Sequence, residues 1–163
     1  MLYDLVGTIN AGIEYKVSNN ISTDFSLSIN PWNYGSWEIK HLLFQPEIRY
    51  WLEHTYNHVF LGSHLIAGNY NFSGLRLPFG IYDSYELDVY KYEGVFCGIG
   101  MSIGSQWYFN KSWGMEVSLG LGYTYWIYNK FHMDKDNTFL ERQHSGLFSL
   151  TKIGLSLVYK IND

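Results

Sequence analysis

The sequence predicts an all-β protein, an eight-stranded antiparallel up-and-down β-barrel that spans a membrane. Apolar residues recur at every second position over most of the chain, which is the period of a β-strand and not of a helix. Short turns rich in Asn and Ser alternate with longer connecting segments. Only 16% of the residues are charged, whereas 19% are aromatic. For a chain of 163 residues we expect a single domain that covers 1–163.

The alternation divides the chain into strands with one apolar face each. It is clearest in 95–109, where Val95, Ile99 and Ile103 alternate with glycine and serine. The short apolar stretch 2–6 supplies one further strand at the beginning of the chain. The eight predicted strands are 2–6, 8–17, 21–30, 41–52, 58–70, 95–109, 113–128 and 147–161.

The connectors predict the two ends of the barrel. Segments 18–20, 53–57 and 110–112 are short turns, and segments 31–39, 71–92 and 129–146 are predicted to be long loops. The link near Gly7 is short and departs from this rule. Short turns at one end and long loops at the other are typical of outer-membrane barrels.

Two all-β folds share this alternation and differ in which face meets water. In a soluble lipocalin-like barrel the apolar face points inward and holds an apolar ligand, whereas in a membrane barrel it points outward. The less apolar face of the predicted strands carries Gly, Ser, Thr and Asn with few charges. A water-exposed surface, in contrast, carries about 25–35% charged residues. Small polar side chains suit the narrow interior of an OmpA- or OmpX-type barrel. We therefore expect the membrane barrel and keep the lipocalin-like barrel as the alternative.

Charge and hydropathy exclude several other classes of protein. Eleven Lys and Arg against fifteen Asp and Glu give a net charge of −4, so nucleic acid is not an expected partner. The mean hydropathy is −0.14, because a membrane strand carries apolar residues at alternate positions only. The first residues lack the basic and apolar regions of a signal peptide. We expect a processed or trimmed form of an outer-membrane protein.

Five short motifs stand out along the chain, namely 30–34 (NPWNY), 40–51 (KHLLFQPEIRYW), 60–64 (FLGSH), 92–94 (YEG) and 151–157 (TKIGLSL). Together they resemble a family of Bacteroidetes outer-membrane β-barrel proteins of unknown function. The resemblance implies a first strand that begins several residues before Leu2 and is therefore clipped here. It also implies a role at the cell surface, since members are often encoded near fimbrial genes. Outer-membrane lipid is the expected partner, together with a cell-surface or fimbrial protein. The family offers no catalytic or cofactor-binding residues to transfer.

Ionisable residues on the inward face form the main candidate site. By strand parity they are Glu14, Lys16, Asp24, Glu47, Arg49, Glu116, Lys152 and Lys160, joined by His41, His58 and His64. Buried charges must be paired, so we expect a structural network that fills the lumen rather than an ion path. Counting from the turns puts several acids in the half of the barrel near the short turns. We predict that Arg49 binds Glu14 or Asp24 across strands rather than Glu47, its own neighbour.

Catalytic and metal sites are weaker hypotheses. His58 and His64 lie six residues apart, about 20 Å along a strand, so one metal ion cannot bridge them. His132, Asp134 and Asp136 could together bind a metal ion, but the general polarity of a loop explains these residues better. An outer-membrane lipid-modifying enzyme remains an alternative function, although the sequence shows no distinctive catalytic spacing. We expect no enzyme activity, no cofactor and no metal, and we interpret Cys97 as an apolar filler on the lipid face.

The long segment 72–92 is the candidate contact with a partner. It mixes acidic residues with large apolar ones, namely Leu75, Leu77, Phe79, Ile81 and Tyr85. A loop of this length in a small barrel favours a binding function. The sequence thus predicts a non-enzymatic outer-membrane barrel that acts in envelope structure or surface interaction.

Overall fold

The computed structural model describes residues 9–30, 33–34, 37–73, 90–132 and 139–161. These residues form β-strands and tight turns, and none of them lies in a helix that is long and apolar enough to cross a membrane. The strands are β1 (Ile9–Lys16), β2 (Ile21–Asn30), β3 (Asn33–Tyr34), β4 (Trp37–Trp51), β5 (His58–Ser73), β6 (Tyr90–Tyr108), β7 (Trp113–His132) and β8 (Phe139–Tyr159).

Seven of these strands form one antiparallel up-and-down sheet. Their order is β1-β2-β4-β5-β6-β7-β8, so each strand pairs with its neighbours in sequence, and the two-residue β3 pairs only with β4. We call the end with turns 18–20, 53–57 and 110–112 the turn end and the opposite end the loop end. Within the described residues β1 and β8 do not pair, so the sheet is not closed into a barrel. The predicted strand 2–6 lies outside the described residues.

Two of the predicted long connectors are shorter than expected. Strand β7 continues to His132 and β8 begins at Phe139, inside the predicted loop 129–146. Likewise, β3 and the start of β4 occupy much of 31–39. The prediction was wrong because it relied on apolar alternation, which fades here. Backbone hydrogen bonds sustain the ladder through polar pairs such as Asn129 and Arg142.

The two faces of the sheet differ as the alternation predicts. Large apolar side chains point outward and are exposed, for example Ile99 at 58% and Leu119 at 48% of their full accessibility. Small polar side chains such as Ser102, Ser118 and Thr124 point into the concave side and are buried. The rolled sheet therefore has a polar lumen and an apolar outer surface.

A β-bulge at Thr151 reverses the alternation within β8. Gly120 lies opposite Lys152, but the next residue, Leu121, lies opposite Leu150, so Thr151 is an extra residue. A one-residue shift moves each later side chain to the other face. Unbroken alternation through 147–161 would place Phe148 on the inward face with Lys152, and the bulge makes that expectation wrong. Phe148 lies opposite the outward Tyr123 and is 68% exposed.

Two apolar groups occupy the lumen above and below a polar layer. Towards the loop end, Leu43, Ile66 and Phe96 are buried together, and the Phe96 and Trp126 rings stack with centroids 4.4 Å apart. Towards the turn end, the buried Trp51 and Phe60 have ring centroids 4.9 Å apart. The polar layer between them is therefore shielded from both directions.

Inward glycines make space for the large side chains of the lumen. A Cβ atom on Gly100 would collide with the His64 imidazole and with the backbone oxygen of Leu121. A Cβ on Gly62 would collide with the carboxylate of Glu47 and the hydroxyl of Ser102. Strands β5 and β6 can thus hold a bulky polar layer only because these positions lack a side chain.

We expect Gly100→Ala to destabilise the protein by about 1–3 kcal/mol, because the neighbouring backbone cannot move away from the added methyl group. Gly12→Ala is the matched control, since a Cβ there would make contacts no closer than 3.4 Å. Its expected effect is within about 0.5 kcal/mol. Denaturant unfolding of both variants in detergent micelles measures the difference, and equal effects would contradict the packing argument.

Candidate functional site: the buried charge network

The strand register brings the acids of the lumen into one lateral row. Glu14 on β1 lies opposite Asp24 on β2, and Asp24 lies opposite Glu47 on β4. The same row continues to His64 on β5, which lies opposite Glu47. Each side chain points into the lumen, because opposite residues in a ladder share a face. Three carboxylates on adjacent strands repel one another unless cations lie between them.

Arg49 is the centre of the network and contacts four carboxylates. Its Nη1 donates to Glu14 Oε2 at 2.8 Å and to Glu116 Oε2 at 2.9 Å, and its Nη2 donates to Glu116 Oε1 at 3.0 Å. Asp24 Oδ2 lies 3.5 Å from Nη2, and Glu47 Oε2 accepts from Nε at 2.9 Å. Glu116 is on β7, so Arg49 joins opposite walls of the lumen with a two-pronged hydrogen bond.

The predicted partners of Arg49 are therefore right in part. Both Glu14 and Asp24 contact Arg49 as expected. The prediction that Arg49 does not bind Glu47 was wrong. Glu47 lies two residues before Arg49 on the same strand face, and the Nε donor of the guanidinium points towards it. The two terminal nitrogens remain available for Glu14 and Glu116 while Nε holds Glu47.

Glu47 forms a second centre of the network, and its side chain is fully buried. The Lys152 ammonium on β8 donates to Glu47 Oε2, and the Ser102 hydroxyl on β6 donates to Glu47 Oε1. The Glu47 carboxylate thus connects two further strands, β6 and β8, to β4. Together with Arg49 Nε, these donors satisfy both oxygens of the buried carboxylate.

Neutral side chains fix the position of the charged ones. Ser22 donates to Glu14, and Trp51 Nε1 donates to Ser22 Oγ at 2.8 Å. The Arg49 guanidinium carbon lies 4.4 Å from the centre of the Phe60 ring, a cation–π contact. The aromatic group at the turn end therefore covers the network and also positions its central cation.

His64 joins the network to the bulge in β8. Its Nε2 lies 2.8 Å from Thr151 Oγ1, and its Nδ1 lies 3.8 Å from Glu47 Oε1. The order hydroxyl, imidazole and carboxylate resembles that of a catalytic triad. However, 3.8 Å exceeds hydrogen-bond reach, and Thr151, His64 and Glu47 are at most 2% exposed. The three groups therefore do not form the continuous hydrogen-bonded chain of a catalytic triad.

The remaining predicted residues lie at the edges of the network or outside the described part of the chain. Lys16 is exposed at the end of β1, and Lys160 is half-buried just beyond β8. His58 is exposed at the start of β5, with Nδ1 3.4 Å from Glu53 Oε2. His41 is buried towards the loop end. The predicted partner-contact residues, which are Leu75, Leu77, Phe79, Ile81 and Tyr85, lie outside the described residues, as do Asp134 and Asp136.

Sequence reasoning missed the neutral residues that complete the site. Ser22, Ser102 and Gln106 have the right parity and could have been identified as inward-facing. Thr151 could not, because only the bulge turns it inward. Within the described residues no group of three or more His, Cys, Asp or Glu is arranged to hold a metal ion. The site can hold charges in fixed positions and close the lumen.

Comparison with known proteins places the chain in one family. The model of a protein family described as "Protein of unknown function (DUF3575)" matches residues 1–161. The chain belongs to this family. No curated protein and no solved structure matches it. The charge network of this member therefore has to be interpreted from its own geometry.

We expect Arg49→Leu to destabilise the protein by about 3–5 kcal/mol, because it leaves buried carboxylates without their shared cation. Lys16→Leu is the matched control, since Lys16 is exposed at the end of a neighbouring strand and its loss should cost little. Denaturant unfolding in detergent micelles measures both. Adding Glu116→Gln to Arg49→Leu should recover part of the loss, and a double variant no more stable than Arg49→Leu would contradict the network.

Proposed function

We propose that the protein is an outer-membrane β-barrel with a filled lumen that acts in envelope structure or surface interaction without enzyme activity. The observation that carries the proposal is the inverted arrangement of the two faces. Exposed apolar residues cover the outside of the described strands, while the charged residues Glu47 and Arg49 are at most 3% exposed inside. A lipid bilayer is the environment in which this arrangement is stable.

The same arrangement argues against the soluble alternative. A lipocalin-like barrel needs an apolar cavity and a polar outer surface. Here Leu155 and Leu157 are exposed by 73% and 70% on the outside. An apolar outer surface of this extent would cause aggregation in water.

The spacing of aromatic residues along strand β7 supports the proposal. Trp113 and Tyr159 contact each other at the turn end, with ring centroids 4.8 Å apart. Tyr123 and Tyr125 lie ten and twelve residues further along the β7 strand that begins at Trp113. Ten residues on a strand tilted by about 40° rise roughly 25 Å, the height of the apolar band of an outer-membrane barrel. Tyr and Trp side chains favour the two membrane–water interfaces.

The directions of the edge strands support closure by an eighth strand. β1 runs from the loop end to the turn after Lys16, and β8 runs to the turn end as well, where the Lys160 N–H donates to Ser112 O at 2.7 Å. The two edges are therefore parallel to each other. One additional strand, antiparallel to both, gives the even number that single-chain bacterial barrels have.

Membrane fractionation tests the location. The protein expressed with an export signal should be recovered in the outer-membrane fraction of a Gram-negative host and should partition into detergent. Recovery as a soluble periplasmic protein would contradict the proposal. For the surface role, a pull-down from outer membranes should capture a cell-surface or fimbrial protein. A variant that lacks 74–89, and so keeps β5 and β6 whole, should lose it.

A charge on the outer face should be costly at the bilayer midplane. Leu119→Arg should destabilise the protein by about 2–4 kcal/mol relative to the parent when unfolding is measured in lipid vesicles. Leu119→Ala at the same position is the control and should cost less, because it introduces no charge into lipid. If Leu119→Arg folds into vesicles as stably as the parent, Leu119 does not face lipid.

The filled lumen should prevent conduction. Purified protein in a planar lipid bilayer should show no stable conductance on the scale of a porin. The interior of an eight-stranded barrel is narrow, and here the charge network and the apolar clusters on either side of it fill that interior. A porin of 16 strands measured in the same bilayer is the positive control. Reproducible large channels from the pure protein would mean that the inward charges line an open pore.

A further inference from the structure

The apolar outer surface ends at one rung of the sheet near the loop end, a rung being a set of outward residues that lie opposite one another across the strands. On this rung every strand from β4 to β8 carries a polar residue, and these residues are Lys40, Asn71, Glu93, Asn129 and Arg142. The next outward rung towards the turn end consists of Leu42, Asn69, Val95, Ile127 and His144. The change in side chains marks the loop-end edge of the apolar band.

The bulge at Thr151 places Arg142 and His144 on the outer face. Without the extra residue, both positions would share the inward face with Lys152, because strand residues alternate between faces. With it, they share a face with Leu150 and Phe148, which lie opposite outward residues of β7. Arg142 and His144 are both exposed. The irregularity that turns the Thr151 hydroxyl towards His64 therefore also presents two nitrogen-bearing side chains to the surroundings.

Arg142, His144 and Asn129 form an outward group of hydrogen-bond donors that we call the donor patch. Asn129 lies opposite Arg142. The His144 ring stacks on the Tyr125 ring, with centroids 6.1 Å apart and planes inclined by 20°. Within the part of the chain that the structure describes, no ion pair or hydrogen bond holds the Arg142 side chain. The guanidinium is thus available to a group outside the protein.

The charged residues around the donor patch leave Arg142 uncompensated. Glu93 lies on the far side of Asn129, two strands or about 10 Å from Arg142. Its Oε1 accepts a hydrogen bond from Asn71 Nδ2 at 3.1 Å. Lys130 and Glu141 lie opposite each other in the β7–β8 ladder, so this pair adds no net charge. The surroundings of Arg142 therefore favour an anion.

The height of the donor patch is that of a lipid headgroup. Along β7, Ile127 and Asn129 follow Tyr125 by two and four residues, and they lie opposite His144 and Arg142. On a strand tilted by about 40°, these steps rise roughly 5 and 10 Å above the Tyr125 level. The headgroup layer of one leaflet is roughly 5–8 Å thick. His144 lies within that layer, and the long Arg142 side chain can bend back into it.

We propose that the donor patch binds the phosphate of a lipid headgroup, with Arg142 as its main ligand. The planar guanidinium presents two parallel N–H donors to two phosphate oxygens, the geometry that Arg offers and Lys does not. An imidazole N–H of His144 and the amide of Asn129 add further donors. This inference rests on the proposed function, because it requires that the outer face lie in a bilayer.

Two lipids with identical acyl chains test the site. Phosphatidic acid has a terminal phosphate, whereas the phosphate of phosphatidylcholine carries a choline cation. We expect the parent in nonionic micelles to bind phosphatidic acid about fivefold more tightly, with dissociation constants measured by native mass spectrometry. Arg142→Gln should abolish this preference, and Arg142→Lys, which keeps the charge but loses the fork, should retain part of it.

Two further variants serve as controls for charge and for ring stacking. Lys111→Gln removes an exposed cation from the turn 110–112 and should leave the preference unchanged. His144→Phe keeps a ring next to Tyr125 but removes the N–H donor, so it should reduce the preference by less than Arg142→Gln does. An Arg142→Gln variant that keeps the full preference would overturn the site.

Inorganic phosphate separates a lipid headgroup from a free anion, and vesicle insertion separates the site from the barrel. Sodium phosphate and sodium chloride are compared at equal ionic strength on the unfolding midpoint in phosphatidylcholine vesicles, and we expect no difference. If phosphate stabilises the parent but not Arg142→Gln, and the lipid preference is absent, the patch binds a free anion and the lipid proposal is wrong. Insertion into vesicles with equal affinity for both lipids overturns the site and leaves the barrel standing. A parent that does not insert contradicts the barrel and the site together.

Discussion

The need to pair buried charges in a narrow lumen is the constraint on which the rest of this structure depends. Arg49 can reach Glu14 and Glu116 only if the sheet rolls far enough to bring β7 across from β4. The contact of Lys152 with Glu47 likewise requires the sheet to roll until β8 lies across from β4. These contacts span the lumen and add to the backbone ladder, which by itself fixes only neighbouring strands. Polar pairing thus sets the curvature of the sheet as well as its local register.

The small residues of the lumen follow from this constraint. Strand β4 contributes the large side chains Gln45, Glu47 and Arg49. Ser26 lies opposite Gln45, and Ser22 and Gly62 lie opposite Arg49. Gly62 and Ser102 lie where the Glu47 carboxylate needs space and a hydrogen-bond donor. An interior filled in this way resembles a protein core in packing, although its contents are polar.

The function that we propose follows from the separation of roles between the two faces. The outer face provides the apolar band for the bilayer, and the lumen provides stability without a substrate path. Interaction with a partner then falls to the loop end, which is where the sequence concentrates its longest connector.

The sequence by itself determined the all-β class, the apolar-patterned part of each described long strand and the facing of most side chains there. Alternation is a local property, so Asp24, Glu47 and Glu116 could be assigned to the inward face without coordinates. It also indicated Arg49 as the cation that these acids share. The physical reason is that a pleated strand separates its two faces at each residue, whatever the strand packs against.

Only the tertiary structure decided which inward residues meet. The two-pronged contact of Arg49 with Glu116 depends on the rolling of the sheet, which no single strand encodes. The bulge at Thr151 arises from the pairing of β7 with β8, and it moves a hydroxyl next to His64 against the local pattern. Contacts across a lumen join residues about 35 to 105 positions apart, so they depend on the summed geometry of all the strands between them.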